Sequence, residues 1–201
     1  MGHRLPPAEI AQQRDLNNNP LAILVNNATY VSYLVPNASI QHLSMQNCGL
    51  HGHTIDQVMA CFNVKHLRSL NISRNLLGFD SGPALVQLLE KLPQLEELDM
   101  RHVGAIDDLR VANAVLAHPS LRTFCTIPIQ RLKDSPRTFQ TLNLCCMEIG
   151  GHGGHVVAAV MRENASVMSL NLRSNSLTQS SMVALCHMLA GNRTLAHLKY
   201  A

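Results

Sequence analysis

The apolar residues of this 201-residue chain recur in a fixed frame from residue 40 onward. Leucine or another apolar residue occupies the first, fourth, sixth and eleventh positions of a segment written L-x-x-L-x-L-x-x-N/C-x-L. Copies of this frame start at residues 40, 67, 95, 121, 139, 167 and 195. In the six complete copies 22 of the 24 frame positions are apolar, and the exceptions, Thr126 and Arg131, both lie in the fourth copy. The chain is therefore an array of internal repeats whose fourth unit is degenerate.

Within each repeat the apolar spacing changes from two residues to three and four, which predicts a short strand followed by a helix. We expect helices near residues 54–63, 80–91, 107–117, 153–163 and 179–190. Asp80, Asp107 and Gln179 stand at or beside three of these starts, where a side-chain oxygen can accept free backbone amides. The fourth unit, 121–138, is only 18 residues long and contains two prolines, so we expect it to be irregular and to lack a helix.

The frame resembles the leucine-rich repeat family, and a repeat near 28 residues resembles its ribonuclease-inhibitor-like class. The resemblance covers residues 40–201, and the segment from Ile149 to Val160 follows the glycine-rich and alanine-rich order of that class closely. It implies an α/β leucine-rich repeat solenoid, with a curved parallel sheet on the concave side and helices on the convex side. At the ninth frame position, Cys48, Asn75 and Asn175 are of the types that bond the turn backbone.

Three regions follow from this frame. Residues 1–20 are polar and are expected to form an N-terminal tail, and the apolar segment 21–39 is expected to be a helical N-terminal cap for the array at 40–201. The seventh repeat stops just after its strand, which would leave an open edge. We expect a partner or further sequence to cover that edge.

Composition narrows the function classes. A net charge of +3 with 3% aromatic residues does not favour nucleic-acid binding. The six cysteines contain no C-x-x-C pair and lie among apolar residues, which indicates free thiols in a reducing compartment, and we expect a cytoplasmic location. The chain has no apolar run long enough for a membrane span, so no membrane association is expected.

Two motifs resemble parts of a nucleotide-binding loop and of a metal site, but neither has the complete pattern. The glycine-rich segment 150–154 lies between a strand and a helix, but it lacks the complete G-x-G-x-x-G arrangement and fits the ordinary repeat. The pairs His51/His53 and His152/His155 have no acidic residue at a metalloprotease spacing. We therefore expect no cofactor, no metal site and no enzymatic activity.

Alternation along the strands predicts a binding surface, because the third, fifth and seventh frame positions face the concave side. Charged residues there flank a less polar strip, an arrangement typical of protein contacts. The candidate contact residues are Glu97, Asp99, Arg101, Cys125, Ile127, Cys145 and Arg173. In the alternative interpretation the face is simply solvated, with Arg101 paired to Asp99 or Glu97. A second candidate is a basic loop of Arg122, Arg131, Lys133 and Arg137, which could contact an acidic protein or RNA.

The sequence thus favours a non-enzymatic protein-protein interaction module. One hypothesis is a scaffold or structural subunit of a larger intracellular assembly, for example a cytoskeletal one. The alternative is a regulator of an enzyme, of the GTPase-activating or inhibitor type, that uses the same repeat surface. Arg74 and Arg101 are the nearest candidates for a residue acting in a GTPase site.

Overall fold

Short parallel strands and helices alternate along the chain. The computed structural model describes residues 13–18, 40–52, 54–55, 57, 64–104, 106 and 109–200. The strands are β1 (Gln13–Asp15), β2 (His42–Ser44), β3 (Ser69–Asn71), β4 (Glu97–Asp99), β5 (Thr123–Phe124), β6 (Thr141–Asn143), β7 (Ser169–Asn171) and β8 (His197–Lys199). The helices are α1 (Gly82–Lys91), α2 (Leu109–Ala117), α3 (Ile129–Asp134), α4 (Gly150–Arg162) and α5 (Gln179–Gly191).

The strands form two parallel sheets, β1-β2-β3-β4-β5 and β6-β7-β8. Neighbouring strands pair frame position to frame position, as Leu43 with Leu70 and Leu142 with Leu170. The central residue of each three-residue strand from β2 to β7 is buried, and its two neighbours are turned toward the opposite face. In the two-residue strand β5, Phe124 is the buried residue. This register confirms the α/β leucine-rich repeat solenoid that the frame predicts.

The structure corrects the expectation of a polar tail at 1–20, because β1 lies inside it and pairs with β2. The pairing places Gln13 opposite His42, so the repeat frame would begin at Ala11. Sequence inspection misses this copy because Arg14 stands where the other strands have a large apolar residue. The expected cap at 21–39 lies outside the described residues, as does most of the helix expected at 54–63.

Four helices lie where the apolar spacing predicts them, with starts shifted by up to three residues. The caps of α1 and α5 differ from the prediction, and Asp107 lies outside the described residues. At the start of α5, Thr178 and not Gln179 is the capping residue, and it forms a reciprocal capping box with Ser181. Ser81 rather than Asp80 occupies the corresponding position before α1, and its hydroxyl donates to the Leu77 carbonyl at 2.8 Å instead of capping the helix.

The fourth unit contains a helix, which corrects the expectation that 121–138 lacks one. α3 spans six residues, beginning after Pro128 and ending before Pro136. Proline is compatible with the first turn of a helix and ends one that precedes it, so the two prolines bound α3 rather than forbid it. Ser135 closes the helix in the left-handed conformation, with a φ of 46°.

The helical layer continues past the break in the sheet. β5 and β6 do not pair, yet α2 packs directly against α4, and α4 packs against α5. α4 lies close to α5 because Gly154 has no side chain: a Cβ there would lie 2.8 Å from the Ser181 Cβ. Within the part of the chain that the structure describes, no helix combines the length and the apolar character needed to cross a lipid bilayer.

Candidate protein-binding surface

An asparagine or aspartate ends most of the strands and folds the chain that follows. Its carboxyl or amide oxygen accepts a hydrogen bond from the backbone N–H two residues later. The pairs are Asp15 with Asn17, Asn71 with Ser73, Asp99 with Arg101, Asn143 with Cys145 and Asn171 with Arg173. These turns hold the fifth and seventh frame positions in a repeated geometry on the concave side.

The ninth frame position locks the turns from inside, as the frame predicts. The Asn75 side chain accepts from the amides of Cys48 and Leu50 and donates to the Met45 and Ile72 carbonyls, at 2.8–3.1 Å. Asn175, at the ninth position of the copy that starts at residue 167, makes the equivalent bonds to the Met147 amide and to the Leu144 and Leu172 carbonyls. At the same position the Cys48 thiol donates to the Leu16 carbonyl at 3.0 Å. Cys48, Asn75 and Asn175, which we call the buried polar ladder, thus fix the turns of the copies that carry them.

The charged centre of this face lies on and after β4. Arg101 Nη2 lies 2.8 Å from Asp99 Oδ2, and Arg101 Nε lies 2.9 Å from Asp99 Oδ1. The hydrogen bond to Asp99 raises the pKa of Arg101, against a smaller lowering by burial. Glu97 is exposed, and its carboxylate accepts from the Ser69 hydroxyl at 3.2 Å. The structure thus confirms the pairing of Arg101 with Asp99 and leaves Glu97 available to a partner.

Cys125 and Ile127 do not line this face, which corrects the prediction of a less polar strip. Both are fully buried. The cause is a reversal of the chain after β5: Cys125 and Thr126 have φ values of 47° and 69°, and Phe124 pairs antiparallel with Ile127. Strand alternation therefore stops at Phe124, and burial raises the pKa of the Cys125 thiol.

The two remaining predicted contact residues lie on the second sheet. Arg173 is exposed after β7, and Cys145 is half-buried after β6. The Cys145 and Cys146 sulfurs lie 3.2 Å apart, and the hydrogen bond between them raises the pKa of Cys145. All five described cysteines have free thiols.

The basic loop residues are all exposed, but they are not equivalent. Arg122 lies 3.9 Å from the Glu96 carboxylate. The Arg131 guanidinium stacks over the Phe139 ring at 4.1 Å, and Lys133 donates to the Leu116 carbonyl. Arg137 has no ion-pair or hydrogen-bond partner among the described side chains.

The concave face carries a cleft over β3, β4 and β5 of about 210 Å³. Its lining includes Glu97, Asp99 and three hydroxyl residues that sequence analysis did not single out as contacts: Ser69, Thr123 and Thr126. Ser69 and Thr123 hold the third frame position of their repeats, so the frame predicts that they lie on this face. Thr126 lies there only because the chain reverses after β5. The cleft is smaller than the roughly 300–1,000 Å³ of small-molecule sites, so it suits contact with a side chain of another protein.

Three of the four histidines that the sequence pairs have structural partners, and His53 lies outside the described residues. His51 Nδ1 lies 3.0 Å from the Leu76 carbonyl oxygen, His152 is buried with Nδ1 3.1 Å from the Ile106 carbonyl oxygen, and His155 bonds the Ser180 hydroxyl. Among the described residues, no three His, Cys, Asp or Glu side chains converge as a metal site would require.

Comparison with known proteins agrees with this geometry. No family model matches the chain. The chain is similar to a ribonuclease inhibitor from Mus musculus, with 28% identity over 171 residues that cover 75% of this chain. The matched region spans 36% of the relative, so this chain corresponds to about a third of that protein's length.

Proposed function

Because the chain is a leucine-rich repeat protein of the ribonuclease-inhibitor-like class, we propose that it is a non-enzymatic module that binds another protein through its concave face. The observation that carries the proposal is the cleft over β3 to β5, where Glu97 projects among small hydroxyl side chains. Such hydroxyl groups can donate to a partner and accept from it, while the turns that Asn71 and Asp99 hold beside the cleft lower the entropy cost of binding.

The partner is expected to be bound through opposite charges at two points. Glu97 offers an exposed carboxylate on the first sheet, and Arg173 offers an exposed guanidinium on the second. Arg101 is already paired with Asp99, so it contributes to the shape and rigidity of the face more than to its free charge. A partner segment with a basic and an acidic side chain would satisfy both points.

We assign the module to a larger intracellular assembly as a scaffold or structural subunit, for example a cytoskeletal one. A second candidate function is inhibition of an enzyme, and the observation that favours it is the similarity to a ribonuclease inhibitor. The free thiols of the described cysteines support a reducing compartment in both cases.

The test compares two charge-reversed variants by affinity capture and quantitative mass spectrometry. The face variant carries Glu97→Arg and Arg173→Glu, and the control carries Glu90→Arg and Arg193→Glu, which reverse exposed charges elsewhere without changing net charge. We expect a companion protein that is retained by the wild type and the control and lost from the face variant. A companion retained by all three proteins would contradict the concave-face assignment.

The same preparation separates the two candidate functions. A structural subunit should keep a stoichiometric companion in high salt, because a permanent interface depends mainly on apolar burial. An inhibitor should instead reduce the turnover of its target enzyme, so the chain is titrated into a ribonuclease assay and into assays of any enzyme that it captures. A stoichiometric, salt-resistant companion whose activity is unchanged would contradict the inhibitor function.

A further inference from the structure

We propose that β6 is a docking edge to which a partner protein adds an extended segment with acidic side chains at one end. This inference rests on the proposed protein-binding function and specifies where and how a partner is bound. In this mode backbone hydrogen bonds supply affinity and flanking side chains supply specificity.

One side of β6 faces away from β7 and, within the described part of the chain, has unpaired backbone groups. The bonds from Ser169 N to the Gln140 carbonyl and from Leu144 N to the Asn171 carbonyl show that residues 140, 142 and 144 serve the pairing with β7. In a parallel strand the alternate residues serve the other side. Thr141 and Asn143 therefore direct their N–H and C=O groups away from β7, and among the described residues these groups have no partner.

The outward-facing residues of β6 are more exposed than those of β7. Thr141 and Asn143 are exposed, whereas Ser169 and Asn171, which hold the same frame positions on β7, are half-buried. β7 has a strand on each side, and β6 has one on a single side. The greater exposure of Thr141 and Asn143 agrees with a missing neighbour strand on that side of β6 in the described sheet.

β5 does not pair with β6 because its backbone groups bond within the fourth unit. The reversal after Phe124 brings Ile127 back alongside β5, where the Phe124 amide donates to the Ile127 carbonyl at 3.0 Å. The Gln130 amide then donates to the Arg122 carbonyl at 3.2 Å. Groups of β5 that would face β6 are thus satisfied within the fourth unit, and Pro128 has no N–H to offer. β5 therefore leaves the Thr141 and Asn143 backbone groups of β6 unpaired.

Basic side chains near the start of β6 favour an acidic segment. Arg137 lies four residues before β6, and Arg122 directly precedes β5. Arg122 also lies 3.9 Å from the Glu96 carboxylate, whereas Arg137 has no such partner among the described side chains. Arg131, stacked on Phe139, adds a third guanidinium just before β6. Carboxylates near one end of a docked segment would complement this group.

The experiment uses the full chain and a library of random linear nonapeptides displayed on phage. We expect enriched peptides to combine β-branched residues with Asp or Glu near one end. Their affinities are then measured for Thr141→Pro, which removes one edge N–H, and for the matched control Thr141→Val, which keeps it. Proline should weaken binding about tenfold, valine should leave it nearly unchanged, and Arg137→Glu should weaken the acidic peptides.

A second measurement keeps the inference testable if the proline variant fails to fold. Hydrogen exchange at the Thr141 and Asn143 amides of the wild-type chain should slow when a selected peptide is bound. No enrichment, equal binding to the proline and valine variants, or no protection of these amides would each overturn the docking edge. These results are independent of the face variant carrying Glu97→Arg and Arg173→Glu, so the proposed function can survive the loss of this inference.

Discussion

Replacing Asn175 with alanine should destabilise the protein more than any change of an exposed polar residue. The side chain is 2% exposed and its amide nitrogen donates to the Leu144, Leu172 and Arg173 carbonyls at 2.7, 2.9 and 3.2 Å. Its oxygen accepts from the amides of Met147 and Ile149 at 3.1 and 3.4 Å. Alanine leaves these backbone groups without their partner in a space closed to bulk water.

The loss of stability in Asn175→Ala can be worked out from the shorter hydrogen bonds of the Asn175 side chain. Three or four backbone groups, each costing about 1–1.5 kcal/mol when unsatisfied, give a loss of about 3–6 kcal/mol in the free energy of unfolding. With an m-value near 2.5 kcal/mol/M in urea, the midpoint should fall by about 1.2–2.4 M. Asn171→Ala is the matched control, because that side chain accepts one bond of 3.2 Å at the surface and should cost less than about 1 kcal/mol.

The assay is urea unfolding followed by far-ultraviolet circular dichroism, with the m-value compared between variants. Asn175→Cys should give an intermediate loss, because Cys48 occupies the same frame position and its thiol supplies one donor but no amide oxygen. Equal losses for Asn175→Ala and Asn171→Ala would refute the view that the buried ladder stabilises the turns. So would a cysteine variant less stable than alanine.

Three further predictions concern other parts of the core. Burial raises the pKa of the Cys125 thiol in the folded chain above its unfolded value of about 8.5. The free energy of unfolding should therefore be unaffected by this group below about pH 8.5 and should fall as the pH rises above it. Cys125→Ala should flatten this pH dependence, measured by urea unfolding between about pH 8 and 10. Gly154→Ala should cost about 1–3 kcal/mol in thermal unfolding through contact with Ser181, and the double variant with Ser181→Gly should recover part of it, whereas additive losses would contradict the contact. Ile127→Ala should cost about 2–5 kcal/mol in the same assay, and a loss below 1 kcal/mol would mean that Ile127 is not a core residue.

The frame predicts the repeated parts of the molecule because each apolar position has one role in every copy. Leu43, Leu70 and Leu142 are buried in equivalent places, and their strands pair in the predicted register. Asn75 and Asn175 also act as predicted, since a buried asparagine at that turn has donors and acceptors within fixed reach. Periodicity is sufficient where one interaction recurs unchanged.

The fourth unit shows where periodicity is insufficient. Its geometry depends on positive φ values at Cys125 and Thr126, residues that seldom mark such turns, so strand alternation gives the wrong face for Cys125 and Ile127. The seven candidate contacts therefore divide: Glu97, Asp99, Arg101, Cys145 and Arg173 are at least partly accessible, and the two residues beyond Phe124 are not. A local reversal carries no repeat signature from which it could be read.

The direct packing of α2 on α4 has a consequence for folding. In a linear repeat array each unit gains stability from the next, so a weak unit in the middle would let the two halves unfold separately. Here cooperativity can pass from the third repeat to the fifth through the helices, and His152 reinforces this path by bonding the Ile106 carbonyl across 46 residues of sequence. The third and fifth repeats thus stabilise each other directly, without depending on the fourth unit between them. We expect the array to unfold in a single transition although its sheet is divided.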